Sequence, residues 1–321
     1  MVPPLRLPRR APVASVNVPR TGSTGLALTT QACIRSTSRP ACSSELSSCS
    51  SGNIPSPPTG IQIATMSTMQ ATHGHSQACC NIPPVVSSGY VPKGLYEELG
   101  GMKTYVTGPE EATRGIVSIF DIFGYFDQTL QGADILATGD HHQNYKVFMP
   151  DWFNGSPCPI EWYPPNTKQK QKDLGEWFGR NMPQGVAAAL PNYISALKAA
   201  HPSINSWGLI GYCWGGKVTE IVTASKDNPF KVAATCHPAM VDPSAAEKIP
   251  VPYILLASGE ERPTDIKRFE SNLKVPNHVE IFGDQVHGWM AARADLSDAR
   301  VQEEYSRGYK TVLEFFGKHW N

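Results

Sequence analysis

The chain has no run of about 18 consecutive apolar residues, the least that carries a helix across a bilayer, so no membrane-spanning helix is expected. It has no excess of either charge, since 28 Lys and Arg face 28 Asp and Glu over 321 residues. Nothing in that balance calls for a nucleic-acid or other polyanionic partner. It has no Cys-x-x-Cys and no histidine pair at the i, i+4 spacing of a helical metal site, which argues against a bound metal. No cofactor is expected either. Cysteines are present, at 33, 42, 49, 79, 80, 158, 213 and 236, but so irregularly spaced that they form no compact disulfide framework. A reducing compartment, the cytosol by default, follows from that.

Residues 1–68 are poor in hydrophobic periodicity and rich in Ser, Thr and Pro, a composition that cannot bury enough apolar surface to offset the ordering of the chain. They are read as a disordered leader. Arg6, Arg9, Arg10, Arg20, Arg35 and Arg39 all precede the first acidic residue, Glu45, as in a mitochondrial transit peptide. An extended gene model accounts for the same segment, with Met66 or Met69 as the start; no apolar h-region marks a secretory signal. Residues 69–321 are then one domain, within the length that α/β folds reach as a single unit.

In that domain strand and helix signals alternate, which implies a mostly parallel sheet covered on both faces. The pattern predicts strands near 102–106, 115–120, 145–149, 207–212, 232–236, 252–257 and 278–282, and helices near 131–138, 184–200, 215–226, 264–273 and 298–318. Trp152 to Arg180, long and rich in aromatics and prolines, reads as a lid or pocket wall. Within it the basic run Lys168-Gln169-Lys170-Gln171-Lys172 reads as a solvated loop or helix face.

The frame Gly211-Tyr212-Cys213-Trp214-Gly215 has the spacing of a nucleophile elbow with cysteine in the reactive position. Trp207-Gly208-Leu209-Ile210 supplies the strand before it, and Gly216-Lys217-Val218-Thr219-Glu220-Ile221-Val222 the helix after it. Glycine is needed at 211 and 215 because the strained turn brings backbone segments too close for a β-carbon. Cys213 then lies at a helix N-terminus, where the dipole favours thiolate over thiol. A triad in this setting runs nucleophile, acid, histidine along the chain. An apolar run at 252–257 ends in Ser258-Gly259-Glu260-Glu261, and the next strand leads to His287-Gly288-Trp289, so the order is met. His237, in Cys236-His237-Pro238, ends a strand and is a candidate pocket residue. His73, His75, His141 and His142 lie in polar or poorly structured stretches and are weaker candidates.

With these motifs in one order the chain resembles the dienelactone hydrolases, in particular their fungal branch, within the α/β-hydrolase superfamily. Three further blocks carry the resemblance: Asp121-Ile122-Phe123-Gly124, Gln131-Gly132-Ala133-Asp134-Ile135-Leu136-Ala137 and Pro150-Asp151-Trp152-Phe153-Asn154-Gly155. It extends over roughly residues 70–320. The resemblance implies a triad of Cys213, His287 and a carboxylate, with Glu261 the first choice and Glu260 and Asp265 as alternatives. It implies an oxyanion hole from the backbone N–H groups of Ile122 and Trp214. It places an acid at Asp121 that helps switch the nucleophile on, although capping of the loop explains the residue equally well. Arg293 is either a partner for a substrate carboxylate or one half of a surface salt bridge. The implied activity is hydrolysis of small carboxylic esters or lactones through a thioester, with a small molecule as the only partner and the oligomeric state left open. Two other functions fit the same fold: glucan hydrolysis, the label of some relatives, which would require two acids facing a sugar cleft, and ligand binding without turnover. If the arginine-rich leader is a targeting signal, the compartment is the mitochondrion.

Overall fold

The computed structural model describes residues 83–140 and 143–320. The expected leader with its alternative starts, the cysteines up to position 80, His73, His75 and the His141-His142 pair lie outside the described residues.

Eight strands form one sheet in the order β1-β2-β4-β3-β5-β6-β7-β8. Its middle consists of β3 (Arg114–Ile119), β4 (Tyr145–Pro150), β5 (Ser206–Tyr212), β6 (Val232–Cys236) and β7 (Tyr253–Ser258), buried along nearly their whole length. Such strands read as unbroken apolar runs because both faces are covered. All pairings from β4 through β3 to β8 (Asn277–Phe282) are parallel, while β1 (Leu95–Leu99), β2 (Met102–Thr107) and β4 pair antiparallel.

β1 is absent from the sequence-based assignment. Only Leu99 in Leu-Tyr-Glu-Glu-Leu is buried, so the strand carries no apolar signal of its own. It exists because Gly100 and Gly101, at φ 58° and 77°, turn the chain back in a two-residue hairpin onto β2.

The α-helices among the described residues are α1 (Asp127–Thr138), α2 (Lys168–Arg180), α3 (Pro183–Ala200), α4 (Trp214–Thr223), α5 (Pro263–Asn272) and α6 (Ala299–His319). β5 shows how two layers form. A β-carbon on Gly208 would lie 2.9 Å from the Trp320 ring just past α6, whereas one on Gly211 would lie 2.4 Å from Thr219 Oγ1 of α4. Positions three apart on a strand face opposite ways, so α6 and α4 cover opposite sides. α6 buries Tyr305, Tyr309, Val312 and Phe316 at helical spacing, and its N-cap Asp298 accepts from the amides of Arg300 and Val301.

α2 is the second element the sequence did not disclose. It buries only Trp177, so its face has little periodicity, and its start is fixed by Thr167, whose side chain accepts from Lys170 N. The segment from Trp152 to Arg180 is therefore partly helical, and Tyr163 within it lines the cleft described below. α1 begins four residues earlier than the pattern suggested, at Asp127, and α4 ends three earlier, at Thr223.

The approach to the sheet is pinned at Asp134 of α1, which is buried and accepts from Tyr90 Oη at 2.6 Å, Lys93 N at 2.9 Å and Tyr105 Oη at 2.8 Å. One carboxylate thus joins the incoming chain, β2 and α1. Among the described residues no helix is long and apolar enough to cross a membrane.

Candidate active site

β5 ends at Tyr212 and α4 begins at Trp214, leaving one residue, Cys213, to make the turn at φ 53° and ψ −112°. That conformation is sterically disfavoured for a side chain and costs on the order of 1–3 kcal/mol. Surrounding contacts hold it. Cys213 N donates to the Cys236 carbonyl at 3.1 Å, and the Cys213 carbonyl accepts from Gly216 N and Ala239 N, both at 3.0 Å. A β-carbon on Gly211 would lie 2.1 Å from the Gly215 carbonyl oxygen, and one on Gly215 would lie 2.2 Å from the Ile119 carbonyl oxygen. Both glycines are demanded by close approach, as their spacing implied. The sulfur is half-buried, free of any disulfide, at the N-terminus of α4.

His287 lies in the loop between β8 and α6, and its Nδ1 is 2.6 Å from Glu261 Oε1. The same carboxylate turns back on its own strand end, accepting from Ser258 Oγ at 3.0 Å and from Ser258 N. Of the acids that follow β7, Glu261 is the one that reaches the histidine. Its side chain is 7% exposed against 46% for Glu260, whose Oε2 lies 3.7 Å from Arg293 Nη1. Asp265 pairs instead with Arg262 at 3.5 Å.

Cys213 is the second group that acts on the His287 ring. Burial alone would lower its pKa; hydrogen bonds to Cys213 and Glu261, and the charges of both, outweigh that and raise it to about 10. The imidazole is thus poised as an imidazolium between a carboxylate and a sulfur.

Asp121 follows β3 and is fully buried. Oδ1 accepts from Phe123 N at 2.9 Å, the loop cap anticipated from sequence, and Oδ2 accepts from Ala292 N at 3.1 Å, five residues beyond His287. Burial raises its pKa to about 6 against the pull of those two amides and of the His287 and Arg293 charges. The carboxylate ties the loop after β3 to the loop that bears the histidine. Ile122 sits in the first of these loops, and Trp214 is the first residue of α4. Among the described residues neither amide donates to a backbone carbonyl; a first-turn N–H such as that of Trp214 has no intrahelical acceptor.

Arg293 donates from Nη1 to the His287 carbonyl, and its guanidinium lies over the Tyr163 ring, 4.7 Å from the centroid. His237 does not line the cleft. It is wholly buried behind it, its ring 5.2 Å from that of His287, centroid to centroid, while Pro238, Ala239, Met240 and Val241 form the wall. The cleft has a volume of about 400 Å³ and is completed by Tyr163, Ile266 and the residues from Glu260 to Arg262. Among the described residues no group of three or more His, Cys, Asp or Glu is placed to hold a metal ion.

Ser258 is the site residue that sequence reasoning passed over. Its signal was its position at the end of a buried strand, where a hydroxyl needs a partner.

Comparison with known proteins adds a lineage to this geometry. Residues 102–320 match the model of the dienelactone hydrolase family. An uncharacterized AIM2 family protein of Schizosaccharomyces pombe is 36% identical over 237 residues, which cover 72% of this chain and 93% of that protein. A carboxymethylenebutenolidase homolog of Xenopus tropicalis is 23% identical, with 77% of this chain and 99% of that one covered. A crystal structure of a putative dienelactone hydrolase from Klebsiella pneumoniae shares the fold at a TM-score of 0.54 and 17% identity, over 68% of this chain and 93% of that one.

Proposed function

The chain belongs to the dienelactone hydrolase family, and on that premise we propose that it hydrolyses small carboxylic esters or lactones with Cys213 as nucleophile. The observation that carries this reading is the 2.6 Å pair of Glu261 with His287, whose ring has Cys213, at the start of α4, as its second partner. A helix N-terminus and an imidazolium both favour a thiolate.

In the proposed cycle the Cys213 sulfur attacks the carbonyl carbon, forming the S–C bond and moving the π electrons onto oxygen. The backbone N–H groups of Ile122 and Trp214 face that oxyanion. Collapse breaks the C–O bond, and His287 gives its proton to the departing alkoxide, which remains tethered if the substrate is a lactone. Water then attacks the thioester carbon, His287 takes one of its protons, and the sulfur leaves as thiolate while the acid is released. Glu261 fixes the imidazole orientation and supports its charge through both half-reactions.

Glucan hydrolysis is not favoured, because the acids are already engaged. Glu261 is taken by His287 and Ser258, Asp121 by two amides, and Glu260 lies beside Arg293. A glycosidase needs two carboxyls free to act on opposite sides of one bond.

The test is hydrolysis of an activated aryl ester by wild type and Cys213→Ala, with circular dichroism to show that the variant is folded. Turnover should vanish, and mass spectrometry of rapidly acidified wild type should find acyl mass on the peptide containing Cys213. A folded Cys213→Ala protein that still hydrolyses the ester would reject the nucleophile, and one that binds lactones no differently from a wild type lacking turnover would favour a binding protein.

A further inference from the structure

Among the described residues, each cation that lines the cleft or, like Arg293, stands beside it has an acid of its own. Glu261 Oε1 is 2.6 Å from His287 Nδ1, Glu260 Oε2 is 3.7 Å from Arg293 Nη1, and Asp265 Oδ2 is 3.5 Å from Arg262 Nε. The guanidinium of Arg293 is further occupied by the His287 carbonyl and by the face of Tyr163. The Arg262 pair is mostly exposed and weakly coupled, but it adds no positive field. The rest of the wall is apolar, from Tyr163 to Met240, Val241 and Ile266, and Met240 is 54% exposed at its rim.

From this pairing we infer that the cleft selects uncharged, apolar esters or lactones over substrates bearing a carboxylate, and that Glu260 is the residue that sets this preference by occupying Arg293. The inference rests on the hydrolase reading above and adds the substrate class. A substrate carboxylate near Arg293 would have to displace Glu260 and would then face that acid unpaired, together with Glu261 on the same wall. An arginine free of Glu260 would instead offer a carboxylate the planar two-point contact for which guanidinium is suited. An apolar acyl or alkyl group meets no such penalty against Met240 and Val241.

Two measurements test this. The first compares kcat/KM for the 4-nitrophenyl esters of glutarate monoanion and of monomethyl glutarate, whose remote ends are a carboxylate and its methyl ester. Wild type should prefer the neutral ester by about tenfold or more at low ionic strength, less as salt screens the cleft, and Glu260→Gln should shrink that ratio at least threefold, mainly through KM for the anion. Equal or better use of the anionic ester by wild type would overturn the inference, as would an unchanged ratio in Glu260→Gln. The second does not need turnover: alkylation of Cys213 by iodoacetamide and by iodoacetate, located by mass spectrometry and referred to a small free thiol. The neutral reagent should be favoured by a similar factor, and Glu260→Gln should reduce it. A wild type that hydrolyses neither ester would defeat the hydrolase reading, while the alkylation ratio would still decide the charge preference. Because Glu260 is half-exposed, its substitution is expected to leave the fold intact, and Glu260→Ala provides a second variant with the same expected direction.

Discussion

His237 and His287 stand ring beside ring, centroids 5.2 Å apart with planes at 69°, and their surroundings drive their pKa values in opposite directions. His237 is wholly buried, and burial, reinforced by the charges of His287 and Arg293, drives its pKa well below the ordinary value. His287 is pulled the other way, to about 10, because Cys213 and Glu261 outweigh its own burial. Burial thus governs one of these neighbouring imidazoles, and hydrogen-bonded and charged partners the other.

The first expectation follows from that division. In an NMR pH titration one histidine ring should remain protonated until about pH 10, and another should stay neutral well below the usual value of about 6.5. A folded pKa above the unfolded one stabilises the protein fully below about pH 6.5, and that contribution is lost as pH rises through about 10. Thermal midpoints should therefore fall between neutral pH and pH 10, and fall less steeply in His287→Gln. Ordinary titration near the unperturbed value of the two rings assigned to His237 and His287, through His237→Gln and His287→Gln, would refute the assignment.

A second expectation concerns Glu261. Glu261→Gln removes the negative charge from His287, so the histidine pKa should drop and the alkaline limb of the kcat/KM profile should move to lower pH with it. The loss at neutral pH should be on the order of 10²- to 10⁴-fold, while Glu260→Gln and Asp265→Asn fall far less on a neutral ester. Equal losses in all three variants would mean that the acid lies elsewhere.

A third expectation concerns stability. Asp134→Ala strips the acceptor from Tyr105 Oη, which is fully buried, and from Tyr90 Oη and Lys93 N, which are partly exposed. The exposed donors can turn to water, but the buried one cannot, so the cost should be roughly 2–4 kcal/mol in urea unfolding. An effect under about 0.5 kcal/mol, typical of surface positions, would show that the residue does not pin the chain to the sheet.

The inner strands and the elbow were legible in the sequence because each is dictated locally. Val232–Cys236 and Tyr253–Ser258 are apolar at every buried step but one or two, and Gly211 and Gly215 sit where a β-carbon would strike backbone. What escaped was set by distant partners. β1 is a strand only because β2 receives it, and α2 has one buried residue to betray it. The choice among Glu260, Glu261 and Asp265 was similarly beyond the sequence. Three acids within six positions look alike until Glu261 folds back on Ser258 and the other two find arginines. His237 was placed in the right neighbourhood but on the wrong side of the wall, since Pro238 and the residues after it, not the imidazole, meet the cleft.

The contact between Gly215 and the end of β3 means that the turn bearing the nucleophile and the loop opposite it share one rigid chassis. Remodelling this protein toward bulkier or differently charged molecules is therefore best attempted around Met240 and Tyr163. There side chains can be exchanged without disturbing the scaffold on which the chemistry is mounted.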